Sequence, residues 1–152
     1  IDACQKGEVA MAGKDYGKAE ERFRMALKST PRDYAVNVLM ARCLSAQDKD
    51  AQALEYAQTA TRIYPQEAQA HKLLGVLALG QKDPAAAYEH LDSYDRLLPG
   101  DAGITFLKGV SLEGMGKRPE AAAQYAAYLK RNRQGKAAEY SMSRLQAWGY
   151  LK

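Results

Sequence analysis

Few side chains in this sequence have the types and spacing that could support catalysis or metal binding. His71 and His90 lie far apart along the chain, with no other histidine or cysteine nearby. Because a zinc site needs three or four close ligands, we interpret both as packed or solvated histidines. Cys4 and Cys43 fall at different places in the helical pattern described below, so we expect free thiols rather than a disulfide. The sequence therefore predicts a non-enzymatic chain without a metal site or a cofactor.

Two further segments carry groups that could bind phosphate. The run Gly114-Met115-Gly116-Lys117 has the glycines and lysine of a phosphate loop but lacks the earlier glycine and the following Ser or Thr, and we interpret it as a turn. A basic cluster could meet phosphate or an acidic partner, and we favour a solvated helix end. The cluster consists of Lys130, Arg131, Arg133 and Lys136.

Composition narrows the class of protein. The chain has 152 residues, 47% hydrophobic and 26% charged, with a net charge of +4. Both signs of charge are spread along the sequence, which does not favour nucleic-acid binding. The longest apolar run, Leu73–Leu79, spans about 10 Å as a helix, so we expect no membrane insertion. No leader is predicted at the start, and the first residue is not Met, which fits a chain cut from a longer protein.

Small, apolar and proline residues recur at one constant interval along the chain. Alanines stand at Ala19, Ala53, Ala87 and Ala121, and prolines at Pro31, Pro65 and Pro99. Small residues occupy Gly7, Ala41, Gly75 and Gly109, and apolar residues occupy Phe23, Ala57, Leu91 and Tyr125. Four series with the same period, of about 34 residues and without insertions, are typical of a helix–turn–helix repeat.

Apolar residues at helical spacing place two helices in each repeat. We predict first helices near 2–13, 35–47, 69–81 and 103–115, second helices near 17–29, 51–63, 85–97 and 119–131, and a ninth near 136–148. The implied repeats span about 1–33, 34–67, 68–101 and 102–135, with a cap over 136–152, in one all-α solenoid domain. Asp33, Asp83 and Asp101 are expected N-caps, Gly75 is expected to face Ala87, and Trp148 is expected to plug the core.

With these residues, the chain resembles the tetratricopeptide repeat (TPR) family. The family motif is matched in all four repeats, over residues 1–133. The matching residues are Gly7, Ala19, Phe23, Ala26 and Pro31 in repeat one, Ala41, Leu44, Ala53, Tyr56, Ala60 and Pro65 in repeat two, Leu74, Gly75, Ala87, Leu91 and Pro99 in repeat three, and Gly109, Leu112, Ala121 and Tyr125 in repeat four. The leading aromatic of the family motif is missing, because Ala3, Asn37, His71 and Thr105 stand there. The resemblance implies a right-handed superhelix that acts as a protein- or peptide-binding scaffold or adaptor.

The family's groove positions, carried onto this sequence, imply a concave binding surface. The groove residues are Val38, Arg42, Lys72, Val76, Leu79, Phe106, Val110, Glu113, Tyr140 and Arg144. This surface is apolar with interspersed charges, so the expected partner is a protein segment that is apolar with acidic residues. Contact with neighbouring repeats is an alternative role for Val38, Val76 and Leu79.

Other functions stay open at this stage. Self-association is one alternative. The tail, residues 144–150, is similar to the end of some bacterial zinc metallopeptidases that carry a TPR array, which implies an accessory, partner-recruiting domain of a larger enzyme. That alternative implies a periplasmic location, whereas a free-standing adaptor is expected in the cytoplasm.

Overall fold

The computed structural model describes residues 2–152, and within this range the only regular structure is helical. The nine helices are α1 (Ala3–Ala12), α2 (Tyr16–Ser29), α3 (Tyr34–Ala46), α4 (Asp50–Ile63), α5 (Ala68–Gly80), α6 (Pro84–Leu97), α7 (Ala102–Gly114), α8 (Arg118–Arg131) and α9 (Lys136–Ala147). Each helix packs on the next along the chain, as expected for stacked helical hairpins. The predicted all-α solenoid of four helix pairs and a ninth helix is confirmed.

The helix ends follow from local chemistry. Asp33, Asp83 and Asp101 each accept a hydrogen bond from a backbone N–H in the first turn of the helix that follows, so the three predicted N-caps are present. The turn between the two helices of a repeat needs one residue with positive φ. Gly116 takes this conformation in repeat four, with φ of 76°, which assigns the segment 114–117 to that turn.

Within each repeat, the small residue of the first helix lies under a side chain of the second helix. A Cβ placed on Gly75 would lie 2.6 Å from Leu91 Cγ and 3.5 Å from the carbonyl oxygen of Ala87. Leu91 is therefore the nearest neighbour of Gly75, and Ala87, which the sequence analysis placed there, comes second. Repeat two combines Ala41 with Ala57, so a larger residue on the first helix accompanies a smaller one on the second.

Between repeats, one face of each first helix packs on the preceding second helix. Met40 of α3 and Leu74 of α5 occupy the same place in this face and are fully buried. Lys108 of α7 stands at the equivalent place and is only 8% exposed. Its ammonium donates to Asp92 at 3.0 Å and to Asp95 at 3.3 Å, both on α6. The junction of α6 with α7 is therefore ionic where the two earlier junctions are apolar.

The ninth helix covers the last repeat. Leu145 of α9 is buried against Tyr125 and Ala121 of α8. The Trp148 ring lies 6.0 Å from the Tyr125 ring, between centroids, and the guanidinium carbons of Arg118 and Arg144 lie 5.3 and 5.0 Å from its centroid. Trp148 is thus partly buried against the core, as predicted, with two cations on its ring.

Candidate functional site

The predicted groove residues form two main rows, because positions one repeat apart point in the same direction on successive first helices. The first row is Val38, Lys72, Phe106 and Tyr140, and the second is Arg42, Val76, Val110 and Arg144. Leu79 and Glu113 lie one turn further along α5 and α7. Two regions of this surface differ in how many hydrogen bonds, ion pairs and ring contacts their side chains make within the chain. They are named here the groove centre (Arg42, Lys72, Val76, Leu79) and the groove end (Phe106, Glu113, Tyr140, Arg144).

In the groove centre, Arg42 and Val76 are exposed, whereas Leu79 is partly buried against the core that contains Ala87 and Leu91. Val76 is 45% exposed, which makes it one of the more exposed apolar side chains of the structure. The exposed Arg42 guanidinium donates to Gln69 Oε1 at 3.1 Å, a neutral partner that leaves its charge uncompensated. Lys72 Nζ lies 3.7 Å from Asp101 Oδ2, which makes a long ion pair, and it lies 5.5 Å from the centroid of the Tyr94 ring. The centre thus offers apolar contact beside positive charge.

The side chains of the groove end, in contrast, contact one another through packed rings and hydrogen bonds. The Phe106 ring packs against the rings of Tyr125, Tyr128 and Tyr140, with centroids 5.4 to 5.9 Å apart. The Glu113 carboxylate accepts from the hydroxyls of Tyr125 at 2.7 Å and Tyr140 at 3.1 Å. These contacts fix Phe106, Glu113 and Tyr140 to one another and to α8.

The electrostatics of the groove end follow from this network. Arg144 Nε lies 3.2 Å from the second oxygen of Glu113, which ties α9 to α7. Burial, together with the hydrogen bond to Glu113, raises the pKa of Tyr125 above its ordinary value. Burial and the nearby Glu113 charge raise the pKa of Tyr140 in the same way. The raised pKa values keep both tyrosine hydroxyls protonated, so that they remain hydrogen-bond donors.

Two predicted groove residues lie deeper than the surface. Val38 is 6% exposed and packs with Ala60 and Ala70 beside Tyr34. Val110 is partly buried against the core that contains Leu112 and Tyr125. For Val38, the structure matches the alternative role of contact between repeats, which the sequence analysis left open.

The structure brings together two histidines that the spacing did not connect. His71 is buried and its Nε2 lies 2.8 Å from the Pro65 carbonyl oxygen, while its Nδ1 lies 3.5 Å from His90 Nδ1. Burial and the neighbouring His71 lower the pKa of His90. Asn37, which occupies the place of His71 in the preceding repeat, donates to the equivalent carbonyl of Pro31. These polar side chains bridge the turn between repeats where the family motif has an aromatic.

The remaining candidates from the sequence have simple places in the structure. Cys4 and Cys43 are free thiols, and Cys43 Sγ donates to the Tyr16 carbonyl at 3.0 Å. Within residues 2–152, no group of three or more His, Cys, Asp or Glu is arranged to hold a metal ion. The basic cluster around Arg131 is exposed at the end of α8 and the start of α9.

Sequence reasoning missed the triad of Lys108, Asp92 and Asp95. A signal was present, because Lys108 interrupts a series whose other interior members, Met40 and Leu74, are apolar. Burial lowers the pKa of Lys108, but the two carboxylates outweigh it, so the net shift is upward and the ammonium stays charged.

Comparison with protein families assigns the repeat. Residues 10–77 match the tetratricopeptide repeat model, which confirms the resemblance: this segment consists of tetratricopeptide repeats, and residues 2–152 have the fold that such repeats build. No curated protein sequence matches the chain. None of the helices in the described residues is long and apolar enough to cross a membrane.

Solved structures with the same fold share little sequence with this chain. MamA superposes with a TM-score of 0.88 at 17% identity, over 97% of this chain and 81% of that one. YrrB, described as a TPR protein with an unusual peptide-binding site, gives 0.81 at 18% identity, over 90% and 71%. PilF of Pseudomonas aeruginosa gives 0.83 at 19% identity, over 97% and 68%. These neighbours establish the fold, a helical solenoid.

Proposed function

We propose that the groove centre binds a protein segment that is apolar with acidic residues. The observation that carries this proposal is the exposure of Val76 beside the two cations of the groove centre, Arg42 and Lys72. An exposed apolar side chain is stabilised when a partner covers it, and a nearby arginine without a carboxylate partner favours an acidic ligand. YrrB, whose reported feature is a peptide-binding site, supports this use of the fold.

The groove geometry suggests how the segment lies. Arg42 and Lys72 stand on successive first helices, about 10 Å apart by the usual helix-packing distance. An extended segment that crosses α3 and α5 would present one acidic group to each cation and an apolar group to Val76 and Leu79. A short segment buries less than a full-sized interface, so we expect an affinity in the micromolar range.

Peptides selected from a displayed random library against the whole chain provide the probe. The charge-reversed variant Arg42→Glu with Lys72→Glu should weaken binding at least about tenfold and reduce its dependence on salt. Val76→Ala should weaken binding by a smaller factor with the salt dependence unchanged, because only apolar contact is lost. Val9→Ala is the matched control, since Val9 is a still more exposed valine on a first helix outside the groove. Equal affinity for all four proteins, with the fold intact by circular dichroism, would refute the groove centre as the site.

The accessory-domain alternative uses the same surface. It differs in what the groove serves, because the bound segment would then be recruited for a linked metallopeptidase. A His-Glu-x-x-His motif upstream in the full-length gene would favour that alternative, and its absence there would favour a free-standing adaptor.

A further inference from the structure

The two histidines of the chain meet between the two helices of repeat three. His71 lies on α5 and His90 on α6, and their Nδ1 atoms are 3.5 Å apart. The chain contains no other histidine. His71 is buried and His90 is partly buried, so the packing of the two helices holds both rings in place. The fold thus brings two imidazole nitrogens within reach of a single ion.

The hydrogen bond of His71 fixes which of its nitrogens is free to bind. Its Nε2 lies 2.8 Å from the Pro65 carbonyl oxygen, and because a carbonyl only accepts, Nε2 carries the proton. In the neutral ring, Nδ1 therefore keeps its lone pair on the side of His90. Histidines that bind a metal through one ring nitrogen usually donate from the other to a carbonyl or carboxylate in the same way.

His90 can offer the same atom. Burial and the neighbouring His71 lower the pKa of His90, so its ring is neutral at neutral pH, as a metal ligand must be. When its proton sits on Nε2, the Nδ1 lone pair faces that of His71. This change of tautomer moves the proton within the ring and releases none.

Repeat two shows that the turn between repeats does not need a pair of histidines. Asn37 stands at the place of His71 and donates to the Pro31 carbonyl oxygen at 3.2 Å. Tyr56 stands at the place of His90, and its hydroxyl accepts from Arg24. A side-chain amide therefore suffices to bridge the turn, and the facing Nδ1 atoms of repeat three need another explanation.

The separation of the two nitrogens fits one class of metal ion. Two Zn–N bonds of about 2.1 Å that end 3.5 Å apart enclose an angle of about 113°, close to the tetrahedral value of about 109°. Two nitrogens at right angles, as around a square-planar ion, would lie only about 3.0 Å apart. The geometry thus favours a tetrahedral ion such as Zn²⁺.

The surroundings leave room for water on such an ion. A depression of about 280 Å³ lies beside His71, and Gln66 and Ser93 in its lining can hold water by hydrogen bonds. Arg96 also lines the depression, but its Nε lies 3.4 Å from Asp92 Oδ2, with which it forms an ion pair. Among residues 2–152, no third His, Cys, Asp or Glu completes a ligand set. Water therefore takes the remaining positions.

We propose that His71 and His90 bind one zinc ion through their Nδ1 atoms. The ion ties α5 to α6 within repeat three. Because only two ligands come from the protein, the site is open and binds more weakly than a closed structural site of four ligands. The ion binds the folded arrangement and stabilises it by mass action. The proposal is independent of the groove centre and of what binds there.

Zinc chloride titrated into the chain with ¹⁵N-labelled histidine is the test, because the two rings give two resolvable sets of signals. His90→Gln removes one ligand. His71→Asn copies repeat two, so it keeps the bridge to the Pro65 carbonyl and loses only the Nδ1 ligand. Both variants retain Cys4 and Cys43, so zinc binding by the thiols would be the same in all three proteins.

Zinc should shift the Nδ1 signals of both rings together, with a stoichiometry of about one and a dissociation constant below about 100 µM. Each variant should bind at least about tenfold more weakly. Zinc should raise the thermal unfolding midpoint of the parent more than that of either variant. Three results would overturn the proposal. They are equal affinity in all three proteins, a shift of one ring alone, and no shift of either ring up to about 1 mM zinc.

Discussion

The groove centre and the groove end lie on the same surface but differ in what their side chains already hold. At the end, Glu113 joins two tyrosine hydroxyls and Arg144, and Phe106 is packed among three rings. At the centre, Arg42 has a neutral partner and Val76 is open. Equivalent repeat positions therefore serve stability at one end and remain available for binding at the other.

This difference shows that a position in a repeat does not by itself define a binding residue. Tyr140 and Val76 are both exposed apolar residues of the predicted groove. Because the Tyr140 hydroxyl donates to Glu113, covering it with a partner would have to preserve that bond, whereas covering Val76 costs no hydrogen bond. The proposal of the groove centre as the binding surface therefore rests on hydrogen bonding rather than on apolar character alone.

The largest effect is expected from Glu113→Ala. The buried hydroxyl of Tyr125 would lose its acceptor and Arg144 its ionic partner, so the free energy of unfolding should fall by about 1.5–3 kcal/mol. Urea denaturation measures the change. Arg42→Ala in the groove centre is the control, with an expected change within about 0.5 kcal/mol. Equal losses for the two variants would remove the distinction between centre and end.

The next effect concerns the packing beneath the groove centre. Gly75→Leu places a side chain where a Cβ alone would lie 2.6 Å from Leu91 Cγ, and should cost about 1–3 kcal/mol. Adding Leu91→Ala, which enlarges the space as in repeat two, should recover part of that loss. Thermal unfolding gives both values. A single variant that melts within a degree of the parent would show that Gly75 is not at a tight helix crossing.

A smaller effect is expected from alkaline pH. The pKa of Tyr125 is higher in the folded than in the unfolded chain, where it is about 10, so the folded protein holds this proton more tightly. The resulting stability is fully present below about pH 10 and is lost as the pH rises through the folded value. When the pH rises from about 9 to about 11, the free energy of unfolding should therefore fall less for Tyr125→Phe than for the parent. Lys108 titrates in both proteins, so its contribution does not change this difference. Parallel curves would show that the groove end does not hold the Tyr125 proton.

The smallest effect is expected from Val76→Ala. The side chain is nearly half exposed, so its truncation should change the free energy of unfolding by no more than about 0.5 kcal/mol. Chemical denaturation next to Val38→Ala provides the comparison, since Val38 is buried and should cost at least about 1 kcal/mol. Similar costs for the two valines would mean that Val76 also serves contact between repeats.

Much of the fold was predictable because its determinants are local or periodic. The helix bounds, the aspartate N-caps and the turn at Gly116 follow from short-range chemistry that recurs from one repeat to the next. The site was less predictable. Tyr140 contacts Glu113, Val38 contacts Ala70, and Lys72 contacts Asp101. The two residues of each pair are nearly a whole repeat apart along the chain, so only the stacking of the repeats brings them together. The contact of His71 with His90 joins the two helices of one repeat, and it depends on side-chain packing that the 34-residue pattern does not specify.

The most direct test of the account is the location of a library-selected peptide on the isotope-labelled chain. We expect the largest changes in amide signals on the concave sides of α3 and α5, around Arg42, Lys72, Val76 and Leu79. The signals of Tyr140 and Arg144 should change less, because the Tyr140 hydroxyl already donates to Glu113 and Arg144 already forms an ion pair with it. Largest changes at the groove end, or on the second helices α4 and α6, would contradict the assignment of the groove centre as the binding surface.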